Sequence, residues 1–161
     1  MEYVFRGQGQ SLVIQTANAD LLTGIVVGIS DGDTLTLLDA QKQQHKIRLS
    51  GIDTPEKAQP WGQNAKESLS NMVFNRQVTV DWHKTDRYGR TLGKVIVDGV
   101  DANLVLVKAG MAWHYKQYAK EQQEDDRILY AEAETIARMV KKGLWSDPAP
   151  TPPWEWRKSK R

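Results

Sequence analysis

The chain has 161 residues, 40% of them hydrophobic and 26% charged, with a formal net charge of +2 and no cysteine. That length fits one ordinary domain with a core of its own, and no stretch approaches the ~20 apolar residues of a membrane-spanning helix, so no membrane partner is expected. The lack of cysteine excludes disulfides, thiolate zinc sites and a cysteine nucleophile, which leaves oxygen and imidazole as the only metal ligands, while the mildly basic balance suits a polyanionic partner without requiring one.

Residues 1–20 form an N-terminal extension with two readings. Ser11-Leu12-Val13-Ile14-Gln15-Thr16 followed by Ala17-Asn18-Ala19 has the form of a leader's apolar end and A-x-A cleavage site. Upstream, however, Arg6 is the one positive charge and there is no long apolar run. A remnant of a secretory leader would make the protein secreted or periplasmic; a plain extension would leave it cytoplasmic.

From Leu21 the pattern is regular. Ile25-Val26-Val27-Gly28-Ile29 and Thr34-Leu35-Thr36-Leu37-Leu38 flank Ser30-Asp31-Gly32-Asp33 and read as a hairpin. Lys46-Ile47-Arg48-Leu49-Ser50-Gly51-Ile52 alternates apolar with polar residues and predicts a third strand. Ala65, Leu69, Met72 and Val73 fall at helical spacing, so an amphipathic helix is expected over 62–75. Strands resume at Val78–Trp82 and Leu92–Val97, followed by a short helix over 101–108 that Gly110 stops. In the next helix Leu129, Ala133, Ile136 and Val140 form the expected buried stripe, with Glu132, Glu134, Arg138 and Lys141 facing water and Gly143 as the stop. Residues 21–146 thus form the domain, and 147–161 a proline- and tryptophan-rich basic tail, predicted to be extended over its prolines. The tail is either a free ligand for a proline-reading adaptor domain or, as Trp154 and Trp156 suggest, a segment that folds back. Consecutive strands with helices gathered to one side predict a small closed antiparallel sheet in the α+β class.

The chemistry concentrates in loops. Asp31, Asp33, Asp53 and Glu56 lie between elements rather than on a helix face, and carboxylates that converge repel unless a cation holds them, which points to a hard metal such as calcium or magnesium. Alone, Asp31-Gly32-Asp33-Thr34 reads first as a hairpin turn and Asp53-Thr54-Pro55-Glu56 as a strand-ending turn. An EF-hand loop is excluded, because Leu35 occupies the third ligand position and Lys42 that of the bidentate glutamate. Arg48 sits in an apolar strand where an unpaired guanidinium is costly, so it needs an anion: either a structural carboxylate or a phosphate. Arg90, in Asp86-Arg87-Tyr88-Gly89-Arg90, is a second such fork or a solvated surface arginine. His45, His83 and His114 have no mutual ligand spacing and are read as surface or structural residues.

Taken together, Asp31-Gly32-Asp33-Thr34, Arg48, Asp53-Thr54-Pro55-Glu56, Asp86-Arg87-Tyr88-Gly89-Arg90, Ala109-Gly110-Met111-Ala112 and Gly143-Leu144-Trp145-Ser146 resemble, in order and spacing, the staphylococcal nuclease family over Leu21 to Ser146. The resemblance implies an OB-type five-stranded β-barrel with three helices, and an endonuclease for single- or double-stranded DNA and RNA with little sequence preference that leaves 3'-phosphate ends. It implies one calcium ion held by Asp33, Asp53 and the Thr54 carbonyl, with Asp31 in the outer shell. Glu56 corresponds to the family's general base, Arg48 and Arg90 to its phosphate-binding pair, and Tyr88, Tyr115 and Tyr118 to residues lining the nucleotide pocket. The chain departs from the family's best-known member in its 57–63 loop, which is poorer in lysine. The alternative is a catalytically inactive OB-type module that binds nucleic acid or protein, but such copies usually lack the ligands or arginines present here. Nothing in the chain demands a partner subunit, so a monomer is expected.

Overall fold

A computed structural model describes residues 21–161; the candidate leader lies outside the described residues. The strands are β1 (Leu21–Asp31), β2 (Thr34–Leu38), β3 (Gln44–Leu49), β4 (Ile52–Asp53), β5 (Gln77–Thr85), β6 (Thr91–Val97), β7 (Val100–Asp101) and β8 (Trp113–His114). The helices are α1 (Gly62–Val73), α2 (Ala102–Lys108), α3 (Glu124–Met139) and α4 (Pro153–Ser159), with 3-10 turns at Lys116–Glu121 and Gly143–Ser146.

β1, β2, β3, β6 and β5 close into a five-stranded barrel, with β7 paired outside on β6. β1 serves two neighbours: Leu21–Ile25 pairs with β5 and Ile25–Asp31 with β2. Register shifts between Val26 and Gly28 and between Ile29 and Asp31 give it the coiling a small barrel needs. Closure is made by β3 and β6, which run parallel over Ile47–Leu49 and Thr91–Gly93, whereas the other barrel pairs are antiparallel. The buried Asn103 braces this short seam. Its Oδ1 accepts the Val95 N–H at 3.1 Å, and its Nδ2 donates to Ser50 O at 2.8 Å and Gly93 O at 3.2 Å.

Val26, Leu35, Leu37, Ile47, Leu49, Val78, Val80, Val95 and Val97 fill the core by alternation, and α1 adds Ala65, Leu69 and Val73, the face its spacing predicts. Asp101 caps α2, its Oδ1 accepting the Leu104 N–H at 3.0 Å. Gly110 and Gly143, at φ 72° and 57°, let two distant segments touch: the Leu144 N–H donates to Gly110 O at 2.8 Å, a Cβ on Gly110 would overlap the Lys142 carbonyl, and one on Gly143 the Gly110 carbonyl.

Two expectations are corrected. In α3 the buried residues are Tyr130, Ala133, Glu134 and Ala137, whereas Leu129, Ile136 and Val140 are 48%, 61% and 63% exposed. The cause is Glu134. Its Oε2 accepts the His114 N–H at 2.7 Å and its Oε1 pairs with Lys116 Nζ at 2.8 Å, so β8 turns the helix by a polar anchor rather than by its largest apolar side chains. The helix also ends before Gly143, at Met139, with Lys141 taking the left-handed conformation at φ 57°. The tail, for its part, folds back. After Pro152, α4 lays Trp154 against Trp113, and Trp113, Ala137, Leu144 and Trp145 form a second small core with Trp61 and Trp154 around it. Among the described residues no helix is long and apolar enough to cross a membrane.

Candidate active site

Three segments meet at Arg48. The β1–β2 turn carries Asp31 and Asp33, with Asp31 Oδ1 accepting the Asp33 N–H at 3.0 Å in an Asx turn. The segment after β4 carries Thr54, whose N–H donates to Asp33 Oδ2 at 2.9 Å. Gly32 permits that approach, since a Cβ there would stand 2.8 Å from Thr54 Oγ1 and 2.7 Å from the Ala65 Cβ. Arg48, on β3, sends Nη1 to Leu49 O at 2.6 Å and Ile52 O at 3.0 Å, and Nη2 to Asp53 Oδ1 at 3.1 Å and Asp33 Oδ2 at 3.4 Å. The anion the apolar strand demanded is thus a pair of carboxylates, and Nε–H has no acceptor among the described residues.

The charges are strained by burial. Asp53 is fully buried; desolvation pushes its carboxyl up to about 6 against the hydrogen bonds of Arg157 and the charge of Arg48. Asp31 is pushed up to about 7 by burial and then by the Asp33 charge beside it. Burial acts on Asp33 too, but the Arg48 charge and hydrogen bonds from Asp31 and the Thr54 N–H hold it below the usual carboxylate range. Carboxyls this close do not ionise independently. The donor set fits a hard cation: it is all oxygen, it is short of positive charge, and Thr54 Oγ1 is buried without a hydrogen-bond partner. Among the described residues no three His, Asp or Glu side chains are placed to hold an ion alone, so backbone or water oxygens would complete its shell.

Glu56 stands on the same rim. Its N–H is fixed by Gln59 Oε1 at 3.0 Å, and its carboxylate meets a residue the sequence did not single out. Arg157, from α4, donates Nη1 to Glu56 Oε2 at 2.8 Å and to Asp53 Oδ1 at 3.2 Å, and Nη2 to Asp53 Oδ2 at 2.8 Å. Gln59, also unforeseen, ties the tail down by donating to Thr151 O at 2.6 Å. The tail's tryptophans signalled that it folds back, but no local pattern separates Arg157 from its basic neighbours.

Arg90 is placed differently. Thr91 pairs with Ile47, which sets Arg90 beside the strand carrying Arg48, yet its Nε donates to Asp86 Oδ2 at 2.8 Å and no ion pair joins it to Asp33 or Asp53 among the described residues. Tyr88, 67% exposed, stacks under the guanidinium groups of Arg87 and Arg90, at 5.0 Å and 5.4 Å. Burial and then the nearby Asp53 charge raise the Tyr115 phenol, and Tyr118 lies edge-on to Tyr115 at 4.9 Å. Tyr115 and Tyr118 thus contact each other, while Tyr88 packs with the arginines of the 86–90 turn. His45 pairs with Asp39, and His114 with Gln122; neither ring is bonded to Asp31, Asp33, Asp53 or Glu56 among the described residues.

A closed OB-like barrel with an acidic, arginine-bridged rim defines a class of nucleic-acid-binding and nucleic-acid-cutting domains. The family model described as staphylococcal nuclease homologue matches residues 46–147. An Escherichia coli protein described as an uncharacterized endonuclease is 43% identical over 138 residues, covering 85% of this chain and 86% of the relative. A micrococcal nuclease of Shigella flexneri is 39% identical over 147 residues, covering 86% and 82%. The Escherichia coli protein ParB is 44% identical over 146 residues, covering 85% and 80%. The chain belongs to the staphylococcal nuclease family and is a nuclease, a hydrolase whose family is generally metal-dependent.

Proposed function

We propose that this nuclease is a calcium-dependent endonuclease that acts as a monomer on single- or double-stranded DNA and RNA with little sequence preference, leaving 3'-phosphate ends. The observation that supports this best is the convergence of Asp33, Asp53 and Thr54 on Arg48, with Glu56 within one guanidinium's span of Asp53. Asp33, Asp53 and the Thr54 carbonyl would hold the cation, with Asp31 outside them. Bound there, calcium offsets phosphate charge and polarises the P–O bonds.

The chain's own groups do the rest. Glu56 takes a proton from a water whose oxygen forms the new bond to phosphorus, as the bond to the 5'-oxygen breaks on the opposite side; the 5'-oxygen leaves as a hydroxyl after taking a proton from solvent. That order of bond changes leaves phosphate on the 3' side. Arg90, at the barrel's closing seam, and the Nε–H of Arg48 donate to the non-bridging oxygens as their charge grows. Tyr88, Tyr115 and Tyr118 offer faces on which bases stack irrespective of identity.

The test is digestion of single-stranded DNA with calcium, magnesium or a chelator, comparing wild type with Glu56→Ser and Arg90→Ala. Cleavage with calcium, lost on chelation and in both variants, is the expected outcome. Cleavage that survives chelation, or variants that match wild type, would sink the assignment.

A further inference from the structure

α4 occupies the proposed site. Both oxygens of Asp53 are taken by guanidinium groups: Oδ1 by Arg48 at 3.1 Å and Arg157 at 3.2 Å, Oδ2 by Arg157 at 2.8 Å. The same Arg157 holds Glu56 Oε2 at 2.8 Å, one of the two oxygens of the carboxylate proposed to take the water's proton. Three residues earlier, Trp154 stacks on Tyr115 with ring centres 5.3 Å apart and planes 8° apart, the geometry a base would adopt on that ring. Between them, one helical turn covers the cation ligand, the base and an aromatic platform.

The attachment is built to be reversible. α4 has seven residues, far short of the ~12–15 at which an isolated helix becomes even marginal, so its form depends on docking. It is held by the Gln59–Thr151 hydrogen bond, the buried Pro153, the packing of Trp154 on Tyr115 and Trp113, and the Arg157 fork. A carboxylate that already accepts three hydrogen bonds from guanidinium groups, of the roughly four it can take, has little acceptor capacity left for a cation, and a divalent ion brought beside two guanidinium charges meets repulsion.

We propose that the C-terminal segment is an autoinhibitory plug, in which Arg157 stands in for the cation and Trp154 for a base, and which cation and nucleic acid must displace. The proposal rests on the cation assignment at Asp53 made above. A ligand that binds only the open state binds more weakly by the fraction of molecules open. With that fraction at most about a tenth, freeing the plug should tighten calcium binding at least about tenfold.

Calorimetric titration of the full chain with calcium chloride tests this, comparing wild type, Arg157→Ala and Trp154→Ala. Both variants should bind calcium at least about tenfold more tightly than wild type. Trp154→Ala is the sharper arm, because it leaves every charge near Asp53 in place while loosening the helix. A gain confined to Arg157→Ala would show a through-space charge effect and overturn the plug. Equal affinity in all three proteins would overturn it too, leaving the cation assignment standing; no calcium binding in any of them would sink both. As a second readout, calcium with single-stranded DNA should speed tryptic cleavage after Arg157 in the wild type. No change in that rate would also overturn the plug.

Discussion

Two arginines grip the same carboxylate, and they differ in what else holds them. Arg48 belongs to the barrel: its side chain is 12% exposed, and its fork is fixed by two main-chain carbonyls before it reaches Asp53 and Asp33. Arg157 reaches the same group from a seven-residue helix, with its side chain 36% exposed. Removing the first takes a buried charge partner from two acidic residues at once. Removing the second leaves Asp53 still paired. One ion pair is part of the scaffold and the other is an occupant, and the short distances by themselves do not tell them apart.

That contrast can be broken most forcefully at Arg48. Arg48→Ala leaves Asp33 and Asp53 buried without their shared partner and should cost about 3–5 kcal/mol in urea unfolding, along with cleavage. A loss under about 1 kcal/mol would mean that Arg157 already carries the pair. Arg90→Ala should reduce the cleavage rate by about 100- to 1000-fold with little change in unfolding, because its pairing with Asp86 is half-exposed. A rate within a few-fold of wild type would move the phosphate contact elsewhere. Gly32→Ala forces the turn bearing Asp33 away from Thr54 and Ala65, at about 1–3 kcal/mol in thermal unfolding. Unchanged stability there would show that the turn is free to shift. Arg157→Ala should cost about 1 kcal/mol or less in the same urea assay; a loss as large as that of Arg48→Ala would make α4 part of the scaffold after all.

A further effect is one of pH. Asp31 keeps its proton in the folded protein up to about 7, against 3.8 in the unfolded chain, so the folded state binds more protons between those values and stability falls as pH rises through them. Asp31→Asn removes that dependence. Without metal, its advantage over wild type should grow across the window and then level off, as followed by urea midpoints. A gap that does not change with pH would mean that Asp31 ionises freely.

Much of the molecule follows from local chemistry. Alternation locates the barrel strands, the Ala65, Leu69, Val73 spacing gives the buried face of α1, and the carboxylates around Arg48 are legible because a guanidinium in an apolar strand must find an anion. These depend on residues close in sequence or on a cost that no fold can avoid. The face of α3 was not legible, because a glutamate accepting a backbone N–H from β8 outweighs a stripe of leucine, isoleucine and valine, and that N–H is 20 residues away. Nor was the parallel closure of β3 on β6, which joins strands separated by the whole of α1 and β5. Arg157 is the extreme case. It lies 104 residues from Asp53, in a tail whose composition suggested only that it folds back. Sequence determined which groups must be neutralised; only the tertiary structure decided which cation of the chain would do it, because that choice depends on where a distant helix comes to rest.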